Sequence, residues 1–533
     1  MEMRGMHLVG GEWMGGDPGK PFQASNPATG EEIGPVYDCA GCEMVDLALD
    51  RAQEAFLSLR NLKPWHRAEF LECLARRLEG HSRELVSRAQ EESGLAVPRL
   101  EMEFARMVDQ PRRFAALLRE GSWVDARIDL GDPHRQPRPK PSMRTMLKPI
   151  GPVAVFGASN FPLAISVTGT DTVSALAAGC PVIVKAHPAQ PGTCELLAAI
   201  VLDTILAQGM DPGIFSVLHG NSNEVGECVV QHPSLAALAF TGSLPGGRSL
   251  MDLAASRPVP IPVFAEMGSL NPVFLLPGAL AERPEAIARG LVHSLTLDAG
   301  QFCTNPGIIL AEEGSALERF LEILVPLVSG SPYQVMLHQG IYQNYQRRLH
   351  ETRATHGVEI LASPEAGIGA GPPKAGTFLF RTDYRTWQGQ SSLHEECFGP
   401  STILVVTKSK VEMESFAKGM DGSLTATLHG TQKDLDDTLD LQGILGAKAG
   451  RIVFNGFPTG VEIGHATHHG GPYPASSLPS YTSIGLAAIR RFVRPVCYQD
   501  CPQGQLPPEL QDSNPLEIRR VVDGVSTTGP VPP

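Results

Sequence analysis

Pro152-Val153-Ala154-Val155-Phe156-Gly157-Ala158-Ser159-Asn160-Phe161-Pro162 is the stretch that decides the fold. Pro152 to Phe156 is a short apolar run, a Gly/Ser/Asn turn follows it, and a helical stretch then reaches Ala178. Pro181 to Lys185 is a second apolar run, followed by a turn and a helix over about 192–208. Phe215 to Leu218 and Leu235 to Phe240 repeat the theme. Short apolar runs separated by helices predict strands buried on both faces of a parallel sheet, joined by right-handed crossovers. Each run ends in a loop with glycine or polar residues, the place where open α/β sheets bind ligands. The predicted class is α/β.

The alternation restarts in the second half. Pro272 to Leu276, Gly307 to Ala311, Ser401 to Val406 and Arg451 to Phe454 read as strands, and about 283–298 and 315–328 as helices. Upstream, 44–60 and 66–92 carry helical periodicity, with Phe70, Leu71, Leu74, Leu78 and Leu85 on one face. Pro133, Pro137, Pro139, Pro141 and Pro149 exclude a long helix over 132–149, leaving a linker or an extended edge segment. Beyond Gln499 the chain is Pro-rich and polar and predicts an irregular extension.

Composition narrows the function. The 533 residues suffice for two or three domains with a large core. A formal net charge of −13 argues against general binding to nucleic acid or an anionic membrane. No apolar run reaches the roughly 18 residues of a membrane span. Met1 to Lys20 lacks an apolar signal-peptide core, so a cytoplasmic protein with reduced thiols is expected. Cys39/Cys42 and Cys497/Cys501 do not form a recognised zinc signature, and no metal is expected.

Two segments suggest covalent thiol chemistry. Gly300-Gln301-Phe302-Cys303-Thr304 sets a cysteine among small and polar residues, and Glu266-Met267-Gly268-Ser269-Leu270-Asn271-Pro272 sets a carboxylate beside glycine. A thiol and an accessible base can make a nucleophile pair; singly they also read as a core thiol and a surface acid. The Asn160 amide could hold an oxyanion or cap a turn before Pro162. Lys185, at a strand end, could donate to ribose or phosphate or be solvated. In Phe240-Thr241-Gly242-Ser243, small residues allow close backbone approach and the following helix start favours phosphate; a plain tight turn reads equally well. His465, His468 and His469 read as solvated loop histidines rather than metal ligands.

These blocks, taken in order with Glu396-Cys397-Phe398-Gly399-Pro400 and Asn26-Pro27-Ala28-Thr29-Gly30, resemble the aldehyde dehydrogenase superfamily over almost the whole chain. The resemblance implies a Rossmann-like dinucleotide domain (1–127 with 150–265), a catalytic domain (266–479), a β-arm for oligomerisation (128–149 with 480–497) and a C-terminal extension (498–533). It implies that Cys303 attacks the aldehyde, Asn160 and the Cys303 N–H hold the oxyanion, and Glu266 activates water against the thioester. Lys185 and Glu396 would contact the riboses, Gly242 and Ser243 the pyrophosphate, and Phe398 the nicotinamide side. It also implies a homodimer or homotetramer.

A narrower set of blocks looks like α-ketoglutaric semialdehyde (2,5-dioxopentanoate) dehydrogenases: Lys185-Ala186-His187-Pro188, Phe454 to Val461, Gly470 to Pro474 and Arg491 to Gln499. NADP-preferring fatty aldehyde dehydrogenases share several of them, and a catalytically silent scaffold or a CoA-acylating enzyme are further alternatives. NAD-preferring relatives carry a glutamate where Pro188 stands. Without that carboxylate, beside His187, NADP is the expected cofactor and NAD the alternative.

Overall fold

The computed structural model describes residues 2–364 and 372–531. Met1, residues 365–371 of the expected 266–479 domain, and Pro532 and Pro533 of the expected extension lie outside the described residues.

The apolar runs of the first half form one sheet. Val263–Glu266, Ala237–Thr241, Val153–Phe156, Val182–Lys185 and Phe215–Leu218 lie side by side in that order, all parallel. His7–Val9 joins antiparallel beyond Phe215–Leu218, and Glu12–Met14 closes the edge. Val153, Ala154, Val182 and Ile183 are fully buried, as helices on both faces require. The register pairs Phe156 with Lys185 and with Phe240, and Thr241 with Glu266. All carboxyl ends therefore share one edge. From that edge emerge the Asn160 loop, Lys185, the Gly242-Ser243 turn and Glu266.

The second sheet runs Glu359–Ala362, Phe378–Asp383, Ser401–Thr407, Ile308–Glu312, Val273–Leu275, Ser423–His429 and Ala449–Phe454, with only Glu359–Ala362 antiparallel. The helix Pro284–Thr296 and the strand Ile308–Glu312 bracket the Cys303 loop. Parallel strands joined by helices make up most of both large sheets, in agreement with the expected α/β class.

A third sheet orders Val493–Gln499, Met143–Pro149, Arg127–Asp129, Arg520–Val522 and Val525–Thr527. The segment after Gln499 is thus not wholly irregular, because two of its short strands continue this sheet. Several other expectations are refined. The run over 66–92 divides at His81 into Pro64–Gly80 and Ser82–Ser93. In the first of these Phe70, Leu71, Leu74 and Leu78 are at most 1% exposed, each burial contributing roughly 1.5–3 kcal/mol. A 24-residue helix, Val97–Glu120, was not anticipated. Pro98 suits its first turn, whereas Pro111 removes an internal hydrogen bond that buried Met107, Val108, Phe114 and Leu118 offset by packing. The expectation of free thiols throughout fails at one pair, since Cys42 and Cys228 are disulfide-bonded. Among the described residues no helix is long and apolar enough to cross a membrane.

Candidate active site

Cys303 follows a turn built from left-handed backbone. Asp298, Ala299 and Gly300 have φ of 47°, 57° and 66°. Only glycine fits at 300, where a Cβ would lie 2.6 Å from the Gly399 carbonyl. The turn is held from several sides. Gln301 donates from Nε2 to Asp298 O at 2.9 Å and accepts at Oε1 from Leu337 N–H at 3.0 Å. Asn305 donates to Gly399 O at 3.1 Å. Arg99, from the unanticipated helix, donates from Nε to Asp298 Oδ2 at 2.6 Å.

Asn271 clamps the loop from below. Its amide donates to Cys303 O at 2.8 Å and to Asn305 O at 3.0 Å, while its Oδ1 accepts from Ser269 and Thr425 hydroxyls. It is fully buried with φ of 47°. The Glu266–Pro272 run by itself assigns Asn271 no role. The available signal was asparagine's tolerance of left-handed backbone.

The thiol faces a residue that sequence reading set aside. Cys303 Sγ lies 3.5 Å from His469 Nε2, and His469 Nδ1 lies 2.8 Å from Glu266 Oε2, though without the alignment of a hydrogen bond. His469 is 4% exposed, so the expectation of a solvated loop histidine is wrong for it. Its loop is pinned by Thr482, which accepts from His469 N–H at 2.8 Å, and by Ser483 N–H, which donates to His469 O at 2.8 Å. Nothing local in His468-His469-Gly470 announces the pairing, which long-range folding alone creates.

Glu266 ends its strand with its carboxylate 5% exposed. Ser483 Oγ donates to Oε2, and Oε1 has no hydrogen-bond partner among the described residues. Burial pushes this carboxyl up, but His469, the Ser483 hydroxyl and the Cys303 thiol outweigh it and hold it below the usual range. Burial and the facing carboxylate push the Cys303 thiol well above its ordinary value. A thiol in this setting does not ionise unaided at neutral pH; it needs a base within reach. Asn160 donates to Gln301 O at 3.0 Å through one amide N–H, which leaves the other available beside the nucleophile loop.

The remaining expected residues lie along the first sheet's edge and beside it. Lys185 donates to Gly220 O at 2.8 Å, and burial lowers it to about 8. Burial drives His187 well below its ordinary value, and its ring stands 5.7 Å from His338. Pro188 follows, without an acid. Ser243 caps the helix Leu244–Ala255, accepting from Gly246 N–H at 3.3 Å, and Gly242 N–H donates to Glu266 O at 3.1 Å. Glu396 is drawn to the Glu266 strand's exit: a Cβ on Gly268 would lie 2.7 Å from its Oε2. Burial raises this carboxyl to about 8. Phe398 precedes Gly399, whose carbonyl accepts from Asn305 and packs against the Gly300 turn.

The Aldehyde dehydrogenase family matches residues 13–472, most of the chain. The chain belongs to the aldehyde dehydrogenase family. Among aldehyde dehydrogenases it is 44% identical to "Alpha-ketoglutaric semialdehyde dehydrogenase 2" of Azospirillum brasilense, over 98% of this chain and 99% of that protein. It is 41% identical to "Alpha-ketoglutaric semialdehyde dehydrogenase" of Acinetobacter baylyi, over 95% of this chain and 96% of that one. A solved aldehyde dehydrogenase, the betaine aldehyde dehydrogenase of Staphylococcus aureus in complex with NAD+, superposes with a TM-score of 0.81 at 17% identity, covering 94% of this chain and 96% of its own. That likeness concerns the fold.

Proposed function

We propose that this aldehyde dehydrogenase oxidises α-ketoglutaric semialdehyde to 2-oxoglutarate, with NADP preferred over NAD. The observation that carries the chemistry is the series Cys303–His469–Glu266, with its histidine and carboxylate buried, beside the Asn160 amide. The substrate is inferred from the two α-ketoglutaric semialdehyde dehydrogenases that resemble the chain over nearly its full length.

The residues present fit a nicotinamide dinucleotide. A lysine and a carboxyl at the sheet edge suit two riboses, and the Ser243 helix start suits a pyrophosphate. Glu396 has no ion-pair partner among the described residues, and Gly268 keeps its carboxyl from being crowded out. What a bound nicotinamide supplies is acceptance of hydride. The chain's own residues do the rest. His469 Nε2 takes the thiol proton as Sγ bonds to the aldehyde carbon, and the Glu266 carboxylate steadies the charge that develops on the ring. Asn160 and the Cys303 N–H stabilise the oxyanion. Glu266 Oε1, the free acceptor, takes a proton from the water that opens the Cys303 thioester. Pro188 presents no carboxylate to repel a 2′-phosphate, and the buried neutral His187 gives it no charge, so Lys185 is the cation in range.

The divisions 1–127 with 150–265, 266–479, 128–149 with 480–497, and 498–533 are our working domains. The strand Val493–Gln499 lies at the edge of its sheet with alternating exposed residues, a form open to pairing with a second copy, which supports a homodimer or homotetramer. Steady-state turnover of α-ketoglutaric semialdehyde and dodecanal, each with NADP and NAD and with Cys303→Ala as blank, tests the reading. Activity on dodecanal only, or a tenfold preference for NAD, would overturn the corresponding part.

A further inference from the structure

Arg99, Arg106 and Arg113 recur every seventh residue along Val97–Glu120, so they share one face of this helix. The outer two spend their charge on neighbours. Arg99 bridges Glu103 at 2.7 Å and Asp298 at 2.6 Å. Arg113 pairs with Asp109 and donates to Ile463 O at 2.8 Å. Arg106, between them and half-buried, makes no hydrogen bond or ion pair among the described residues. Its charged end stands 5.9 Å from the Phe161 ring centre. Phe161 follows Asn160 directly and meets Phe302, the neighbour of Cys303, edge-on at 5.5 Å.

Arg106 is thus a guanidinium set against Phe161, the residue that follows Asn160. Burial lowers it from its ordinary value, and it is near enough to Cys303 for their charges to interact. Other arginines near the site are committed. Arg451 also feels the Cys303 charge, but its terminal nitrogens donate to Gly460 O at 3.0 Å and to Pro458 O at 2.5 Å. Glu103 and Glu462 act on Arg106 through space without pairing with it; a partly desolvated guanidinium with no paired acid is costly unless it serves a ligand, and its planar fork matches a carboxylate.

We propose that Arg106 receives the carboxylate at the far end of an aldehyde whose carbonyl lies at Cys303. This deepens the proposed function and rests on its placement of the aldehyde at Cys303. It makes Arg106 a specificity determinant for short aldehydes ending in a carboxylate. Glu103, one turn earlier, stays out of competition: its Oε1 accepts from Leu163 and Ala164 N–H at 2.7 and 2.8 Å, and its Oε2 pairs with Arg99.

The test compares wild type, Arg106→Gln and Arg106→Lys on α-ketoglutaric semialdehyde, succinic semialdehyde and pentanal, with thermal melting to verify folding. In Arg106→Gln, kcat/KM for the two acids relative to pentanal should fall about 10- to 100-fold, the size expected for a hydrogen-bonded charge pair. The loss should appear mainly in KM, and Arg106→Lys should recover part of it. An equal loss on all three aldehydes would overturn the anchor, showing support of the thiol or of packing instead. An unchanged ratio would overturn it as well. Should wild type reject α-ketoglutaric semialdehyde while succinic semialdehyde shows the Arg106-dependent KM, the named substrate falls and the anchor stands. A wild type that favours pentanal over both acids refutes both.

Discussion

Replacing His469 with Gln removes, among the described residues, the one base near the thiol other than Glu266, the carboxylate proposed to activate water. The Cys303 thiol is raised above its ordinary value by burial and by Glu266. A thiol with a pKa of 9 or more is ionised in at most about one molecule in a hundred at pH 7. In the proposed mechanism His469 Nε2, at 3.5 Å, supplies the missing thiolate by taking the proton during attack. Losing it should therefore lower the rate of thiol attack by about 10²-fold at pH 7, within the usual range for a general base. The deficit has a characteristic pH dependence. Without the base, attack depends on free thiolate, which rises about tenfold per pH unit until the thiol's own pKa. The gap to wild type should therefore narrow by up to about tenfold for each pH unit between 7 and 9. Iodoacetamide alkylation of Cys303 reads this directly and needs no cofactor, with the first-turnover burst of reduced nicotinamide as a second measure. A variant that alkylates at the wild-type rate at pH 7, or a deficit constant from pH 7 to 9, would refute His469 as the base.

Three more outcomes follow from the site. Glu266→Gln should slow the burst, because His469 loses the carboxylate that steadies its charge, and should slow the steady state further, by about 10²–10³-fold, because water activation is lost as well; rapid mixing against steady-state rates checks it. The Glu396 carboxyl, raised to about 8 in the folded state, contributes stability that is present at acid pH and is lost as pH rises from its unfolded value near 4.5 through 8. The melting temperature of Glu396→Gln relative to wild type should accordingly rise between pH 5 and pH 8.5, and a pH-independent difference by scanning fluorimetry would contradict this. The ligand atoms of Cys303, His469 and Glu266 all lie within 4.8 Å of one another, close enough for a thiophilic cation. Micromolar Zn²⁺ should inhibit, EDTA should reverse it, and His469→Gln should raise the inhibitory concentration at least about tenfold, as read from residual turnover.

Much of this arrangement was legible because buried parallel strands leave continuous apolar runs. Val153–Phe156 and Val182–Lys185 could be placed from their residues, and with them the loops that carry Asn160 and Lys185. Ser423–His429 escaped because its Thr425 and Thr427 are buried polar residues, partnered or packed only once neighbouring strands arrive. Val97–Glu120 escaped because Pro98 and Pro111 break its local signal, and it is tertiary packing that overrides them. That omission hid the three arginines. Cys303 and Glu266 stood out through their small neighbours, whereas His469 lies 166 positions from its partner. No periodicity encodes a contact at that distance.

The third sheet also sets an order of assembly. Leu130 N–H donates to Asp523 Oδ1 across 393 positions of chain, and Arg127–Asp129 lies parallel to Arg520–Val522. While the chain is being made, the inner strands Arg127–Asp129 and Met143–Pro149 emerge long before either flanking partner. On a ribosome adding about 5–20 residues per second, they stay open for tens of seconds. Lys140, Arg144 and Lys148 border those unpaired edges during that interval. Charges of this kind on an open strand edge oppose its pairing with another strand.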